Sequence, residues 1–133
     1  MTKEWVAQNF CIGFCTDKGL MLDLDNMTRR KAESIAEALM KRYRLEGYLL
    51  IKSSDKNYHV IFNRYLRWKT IMQIVFSQYV CIRWGIHQAS NGFLTLRISR
   101  KNNKNKPKIL SEVGKMDKLI GEYLKTYNYF ERF

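Results

Sequence analysis

The spacing of apolar positions changes several times along the chain, and each change marks an element. Leu20, Leu22 and Leu24 fall two apart, with Asp23 and Asp25 in the other phase, which predicts a strand over 20–25. After Asn26 the period becomes helical. Ala32, Ile35, Ala36, Leu39, Met40 and Tyr43 form one stripe, Arg29, Arg30, Lys31, Glu33, Glu37 and Lys41 fill the other positions, Asn26 or Thr28 can supply the N-cap, and Gly47 lies just beyond the end. Tyr48 to Lys52 reads as a strand, Ser53 to Asn57 as a turn and Tyr58 to Phe62 as the returning strand of a hairpin. A second helical stripe, Trp68, Ile71, Met72, Val75, Phe76 and Tyr79, predicts a helix over 66–80. In Phe93 to Ser99 the alternation returns, with Leu94, Leu96 and Ile98 in one phase and Thr95, Arg97 and Ser99 in the other.

Two outer segments complete the pattern. Trp5 to Cys15 is mostly apolar or small and ends in the tight-turn candidate Thr16 to Gly19, so it is expected to form an extra N-terminal strand in a hairpin with 20–25. Arg100 to Lys108 has no apolar side chain other than Pro107 and reads as a mobile basic loop. A C-terminal helix over about 109–127 is expected from Val113, Met116, Ile120, Tyr123, Leu124 and Tyr127, weakened by Gly114 and Gly121. No internal repeat is visible.

The order over 20–100 is therefore strand, helix, strand, strand, helix, strand. That order predicts an α+β fold with a ferredoxin-like, RRM-like βαββαβ core: a four-stranded antiparallel sheet with two helices on one face. Right-handed crossovers put the first and third strands side by side in the centre and the fourth beside the first. A chain of 133 residues makes one domain, 1–133, with a core at about 20–100.

Charge narrows the partners. Lysine and arginine number 24 against 12 acidic residues, a formal net charge of +12, and such a field favours polyanions, of which nucleic acid is the commonest. The most apolar stretch, Ile71 to Ile86, is interrupted by Gln73, Gln78 and Arg83 and is too short to span a bilayer, so no membrane association is expected. The segment Met1 to Trp5 lacks the apolar region of a signal peptide, which points to an intracellular, cytoplasmic protein. Cys11, Cys15 and Cys81, with only His59 and His87 to help, make neither a disulfide framework nor a recognisable zinc spacing, and buried free thiols are expected.

Alternation then gathers a candidate site. If Leu20, Leu22 and Leu24 pack under the helices, Asp23 and Asp25 lie on the open face; Val60 and Phe62 inward turns His59 outward; Leu94, Leu96 and Ile98 inward turns Arg97 outward. Paired carboxylates can hold Mg²⁺ or Mn²⁺, and His and Arg can bind the phosphates such ions bridge. Asp23 and Asp25 are thus candidate metal ligands. The basic run Arg100, Lys101, Lys104, Lys106 and Lys108 adds candidate contacts to nucleic-acid phosphates.

Leu22-Asp23-Leu24-Asp25 on a first strand, followed by the hairpin Lys52 to Val60 with its small residues and His59, resembles the first two motifs of the archaeo-eukaryotic primase superfamily. The resemblance implies a template-directed nucleotidyltransferase core using Mg²⁺ or Mn²⁺ and nucleotides. In it Asp23 and Asp25 match the metal-binding pair and His59 a catalytic-site contact to the incoming nucleotide's phosphates. Lys52 and Arg97 are looser matches to basic phosphate contacts. The family carries a third acidic position near the later strand, whereas Ile86 to Arg97 contains no carboxylate.

Two other classes compete. A non-catalytic module of RRM-like fold would bind single-stranded DNA or RNA by stacking bases on the open sheet. A rolling-circle nickase needs a His-x-His pair on the central strand, and only His59 is present. A purely structural or partner-binding protein is the remaining alternative.

Overall fold

The computed structural model describes residues 12–77, 82–100 and 105–130. It is a mixed α+β fold. In chain order the described elements are β1 (Gly13–Thr16), β2 (Gly19–Leu24), α1 (Arg29–Tyr43), β3 (Gly47–Ser54), β4 (Asn57–Tyr65), α2 (Trp68–Ser77), α3 (Ile82–Asn91), β5 (Leu94–Arg97), β6 (Lys108–Gly114) and α4 (Leu119–Tyr129). A four-stranded antiparallel sheet has the order β2-β4-β3-β6, and β1 and β5 form a separate antiparallel pair. Among the described residues no helix is long and apolar enough to cross a membrane.

Helix α1 starts where its cap dictates. The Thr28 side chain accepts from Lys31 N–H at 3.2 Å, and Ala32, Ile35, Ala36 and Leu39 are its buried stripe. It ends at Arg44 in the left-handed region (φ 52°), so the helix stops before Gly47, whose role is different. Gly47 opens β3 at a close crossing with β6, where an added Cβ would meet the carbonyl oxygens of Lys115 and Val113. The Tyr48 hydroxyl donates to Glu37 of α1 at 3.0 Å, which seats α1 on the face of the sheet carrying Tyr48, Leu50, Val60 and Phe62. Val60 and Phe62 therefore face a helix as alternation predicts.

Three of the expected strands, β2, β4 and β3, stand in the expected order. The remaining expectations need correction. Residues 94–97 lie against β2 but hydrogen-bond with β1, so neither the fourth strand's pairing with 20–25 nor the N-terminal hairpin with 20–25 is observed. The fourth place in the sheet is taken by β6, which pairs with β3. Residues 109–114 are expected in a helix over about 109–127; they belong to the strand Lys108–Gly114, and the helix begins only at Leu119. Ile109 and Val113 satisfy both periods, and the competing strand wins because β3 offers an unpaired edge. Lys108 belongs to that strand rather than to a basic loop. The helix expected over 66–80 is observed as α2 from Trp68 to Ser77, with 78–80 outside the described residues, and Phe76 of its stripe is 52% exposed. Helix α3 had no counterpart in the expected pattern. Cys15 is exposed, not buried, and its thiol lies 3.3 Å from the Thr95 hydroxyl; Cys11 and Cys81 are outside the described residues.

The second face of the sheet is closed as well. Asn63 is fully buried on β4 and shares the phase of His59. Its side-chain oxygen accepts from the backbone N–H of Lys118 (2.8 Å) and Ile120 (3.3 Å), and its amide donates to Asp117 at 2.9 Å, which docks the start of α4 on that face. Leu119, Ile120 and Tyr123 are the buried side of α4. Every position from Tyr58 to Asn63 and from Gly47 to Ile51 is buried, so the central strands have no open face.

Candidate functional site

One end of the sheet collects the predicted residues. Across adjacent strands Asp23 stands opposite His59 and His59 opposite Ile51, so all three side chains share a face. His59 Nε2 is 3.7 Å from Asp23 Oδ1, beyond hydrogen-bond length. His59 is 5% exposed, and its pKa is pushed down to about 3, first by burial and then by the nearby Arg97 charge. It is a neutral imidazole at physiological pH and makes no ion pair with Asp23. Its Nδ1, like the Tyr123 hydroxyl, is buried without a hydrogen-bond partner among the described residues. Burial likewise raises the Tyr123 pKa.

The expectation of His59 on an open, phosphate-accessible face is therefore corrected: alternation orients it correctly, but the face is buried, with α4 docked on it at Asn63 and Arg97 close to His59. Asp23 is partly exposed. Asp25 lies beyond the last residue of β2 and is exposed. The chain there turns into α1 and is tied to the β3–β4 hairpin by Asn26 N–H to Asn57 Oδ1 (3.0 Å) and Met27 N–H to the Lys56 carbonyl (3.0 Å). Among the described residues no three His, Cys, Asp or Glu side chains converge as a metal cage. At this end Asp23 and Asp25, with Asp55 on the adjoining hairpin turn, offer a hard cation a set that suits Mg²⁺ only where water and substrate phosphates complete the shell.

Arg97 is a clamp. It donates to the Ser53 carbonyl at 2.6 Å, to the Asn105 carbonyl at 2.9 Å and to the Ser99 carbonyl, joining the end of β3 to the segment leading into β6. Its expected contact to phosphate becomes a positioning role, because these carbonyls occupy its fork.

What Arg97 holds together is a cleft of about 490 Å³ lined by Lys52, Ser53, Ser54, Asp55, Asn105, Lys106 and Lys108. Lys52 and Lys108 are exposed and stand directly opposite each other on β3 and β6. Like charges in that relation destabilise a sheet, on the scale of about 0.2–1 kcal/mol. Lys106 is anchored from behind: its ammonium donates to the Tyr127 carbonyl at 3.1 Å and sits 3.9 Å from the centre of the Tyr127 ring. The Tyr127 hydroxyl in turn donates to the Pro107 carbonyl at 2.7 Å. Three predicted phosphate contacts from two segments, the end of β3 and the entry to β6, thus meet around one cleft, and among the described residues Asp55 is the one carboxylate lining it.

Of the other basic candidates, Arg100 is exposed just past β5, and Lys101 and Lys104 lie outside the described residues. Sequence reasoning passed over Ser53, Ser54 and Asn105 as turn and loop residues. Their signal was a run of small polar side chains immediately after Lys52, and an Asn in the middle of a lysine-rich segment. Compared with family models, with curated proteins and with solved structures, the chain has no match.

Proposed function

We propose that this protein binds nucleic acid through its phosphates, in the cleft of Lys52, Lys106 and Lys108, on a core of primase-polymerase-like plan. The observation that carries the reading is the directly opposed pair Lys52–Lys108 with Lys106 on the same wall. A sheet gains nothing from that repulsion by itself, and a phosphate between the ammonium groups relieves it. The net charge of +12 supplies the long-range attraction. Such contacts read the backbone rather than base edges, so binding is sequence-tolerant and falls with salt.

The ferredoxin-like plan is supported by the β2-β4-β3 order and by β5 lying against β2. Base stacking on the sheet face, as an RRM-like module would use, is disfavoured by burial of both faces of β3 and β4. A second reading, nucleotidyl transfer at Asp23 with Mg²⁺ or Mn²⁺, is favoured by Asp23 and His59 facing each other at the same end of the sheet as the cleft.

The test is fluorescence anisotropy with labelled single-stranded DNA and RNA. The double variant Lys52→Ala/Lys108→Ala is expected to bind about tenfold more weakly or worse; wild-type affinity in that variant removes the reading. Primer extension with Mg²⁺ or Mn²⁺ tests the second reading. Incorporation that Asp23→Asn abolishes supports it, and no incorporation by the wild type discards it.

A further inference from the structure

We infer a second phosphate-binding cleft at the opposite end of β4, which holds a separate stretch of the same polynucleotide; the inference rests on the nucleic-acid reading above. This cleft, of about 440 Å³, is lined by Tyr43, Arg64, Tyr65, Leu66, Arg67 and Thr70. Its volume falls in the range of small-molecule and nucleotide sites, about 300–1,000 Å³. Among the described residues that line it there is no carboxylate, the nearest one shown being Glu122 on the Tyr65 hydroxyl.

Each wall has a distinct part. Arg64 is held in place from the side, its Nη1 donating to the carbonyls of Tyr43 (2.9 Å) and Arg44 (3.4 Å) where α1 ends. A guanidinium fixed in this way loses little rotamer freedom when it meets a phosphate. Arg67 is exposed at the entry to α2, and among the described residues it is in no ion pair. Tyr65 is 46% exposed, and its hydroxyl is anchored on Glu122 at 2.7 Å, which leaves a held aromatic ring beside the arginines. The Arg42 guanidinium carbon lies 5.3 Å from the Tyr43 ring centre, adding a further cation at the rim. Arginine beside held aromatic rings is the chemistry that binds single strands, phosphate on the cation and base on the ring.

The distance between the clefts sets a length. Lys52 stands opposite Tyr58 at one end of β4, and Arg64 and Tyr65 close the other end. Six to seven strand steps of about 3.4 Å separate the ends by about 20–24 Å, which is on the order of 6–7 nucleotides at the stacked spacing. Only a strand longer than that engages both clefts, and it then gains the avidity of two linked sites.

The experiment compares single-stranded oligonucleotides of about 4 and about 16 nucleotides, bound to the wild type, Arg67→Glu, Lys69→Glu and Lys52→Glu/Lys108→Glu. Lys69 is an exposed residue of α2 that does not line the cleft, so Lys69→Glu makes the same change in net charge outside it. The inference expects Arg67→Glu to weaken the long strand about tenfold and the short one no more than about twofold, with the salt slope for the long strand falling by about one. Lys69→Glu is expected to do markedly less. If Arg67→Glu and Lys69→Glu act alike, or if Arg67→Glu weakens both lengths equally, the second cleft is overturned while the first stands. If the wild type binds neither length, the underlying reading falls and this inference with it.

Discussion

Replacing Asn63 by alanine removes the buried side chain that fastens the start of α4 to the sheet. The substitution deletes an acceptor for two backbone N–H groups, those of Lys118 and Ile120, and a donor to Asp117. Each buried donor left without a partner costs about 1–3 kcal/mol. The Ile120 N–H is buried, whereas the Lys118 N–H is within reach of water, so the expected total is about 3 kcal/mol. For a domain of this size that lowers Tm by about 10 °C. Urea denaturation gives the free energy, and a thermal melt gives the shift. Because α4 docks on the sheet face that carries His59, the variant is also expected to lose part of the acid sensitivity described below. A loss under about 1 kcal/mol, with acid sensitivity intact, would refute the reasoning that Asn63 closes this face.

Further expectations concern titration, charge and packing. His59 has a folded pKa of about 3 against about 6.5 unfolded. Between these values the unfolded chain binds the extra proton, so the contribution is fully present above pH 6.5 and declines as pH falls toward 3. Its slope approaches about 1.4 kcal/mol per pH unit. Urea midpoints between pH 6.5 and 5 should therefore fall in the wild type and stay flatter in His59→Gln; equal slopes would contradict the burial. Lys52→Ala/Lys108→Ala is expected to be as stable as the wild type or more stable by up to about 1 kcal/mol, since it removes a cross-strand repulsion; a loss in thermal stability would mean that the lysines serve the fold. Gly47→Ala should cost about 1–3 kcal/mol by urea denaturation, because its Cβ would press on the backbone carbonyls of Val113 and Lys115. A neutral result would argue against the β3–β6 pairing.

Local rules carried the sequence reading a long way. Thr28 is the cap of α1, the phases of Leu22, Val60 and Phe62 are as alternation requires, and Asp23 faces His59. Lys106 and Lys108 stand out by charge, and Lys52 as a loose match in the primase resemblance. What escaped was decided at long range. Residues 109–113 fit both a helix and a strand, and only the free edge of β3 selects the strand. Helix α3 was hidden because Gly85 interrupts its pattern and Ile86 is exposed, which blunts the stripe. The closing of the face that carries His59 involves Asn63 meeting a helix start 55 residues away, through Lys118 N–H to Asn63 Oδ1, which no local pattern shows. Arg97 carries no mark in the sequence to show that its guanidinium is spent on the Ser53 and Asn105 carbonyls.

Phosphate held between Lys52, Lys106 and Lys108 is detected by following amide chemical shifts by NMR during titration with a single-stranded oligonucleotide. The largest changes are expected on residues 52–55 and 105–108. Changes confined to other surfaces, or none at low salt, would contradict this phosphate site.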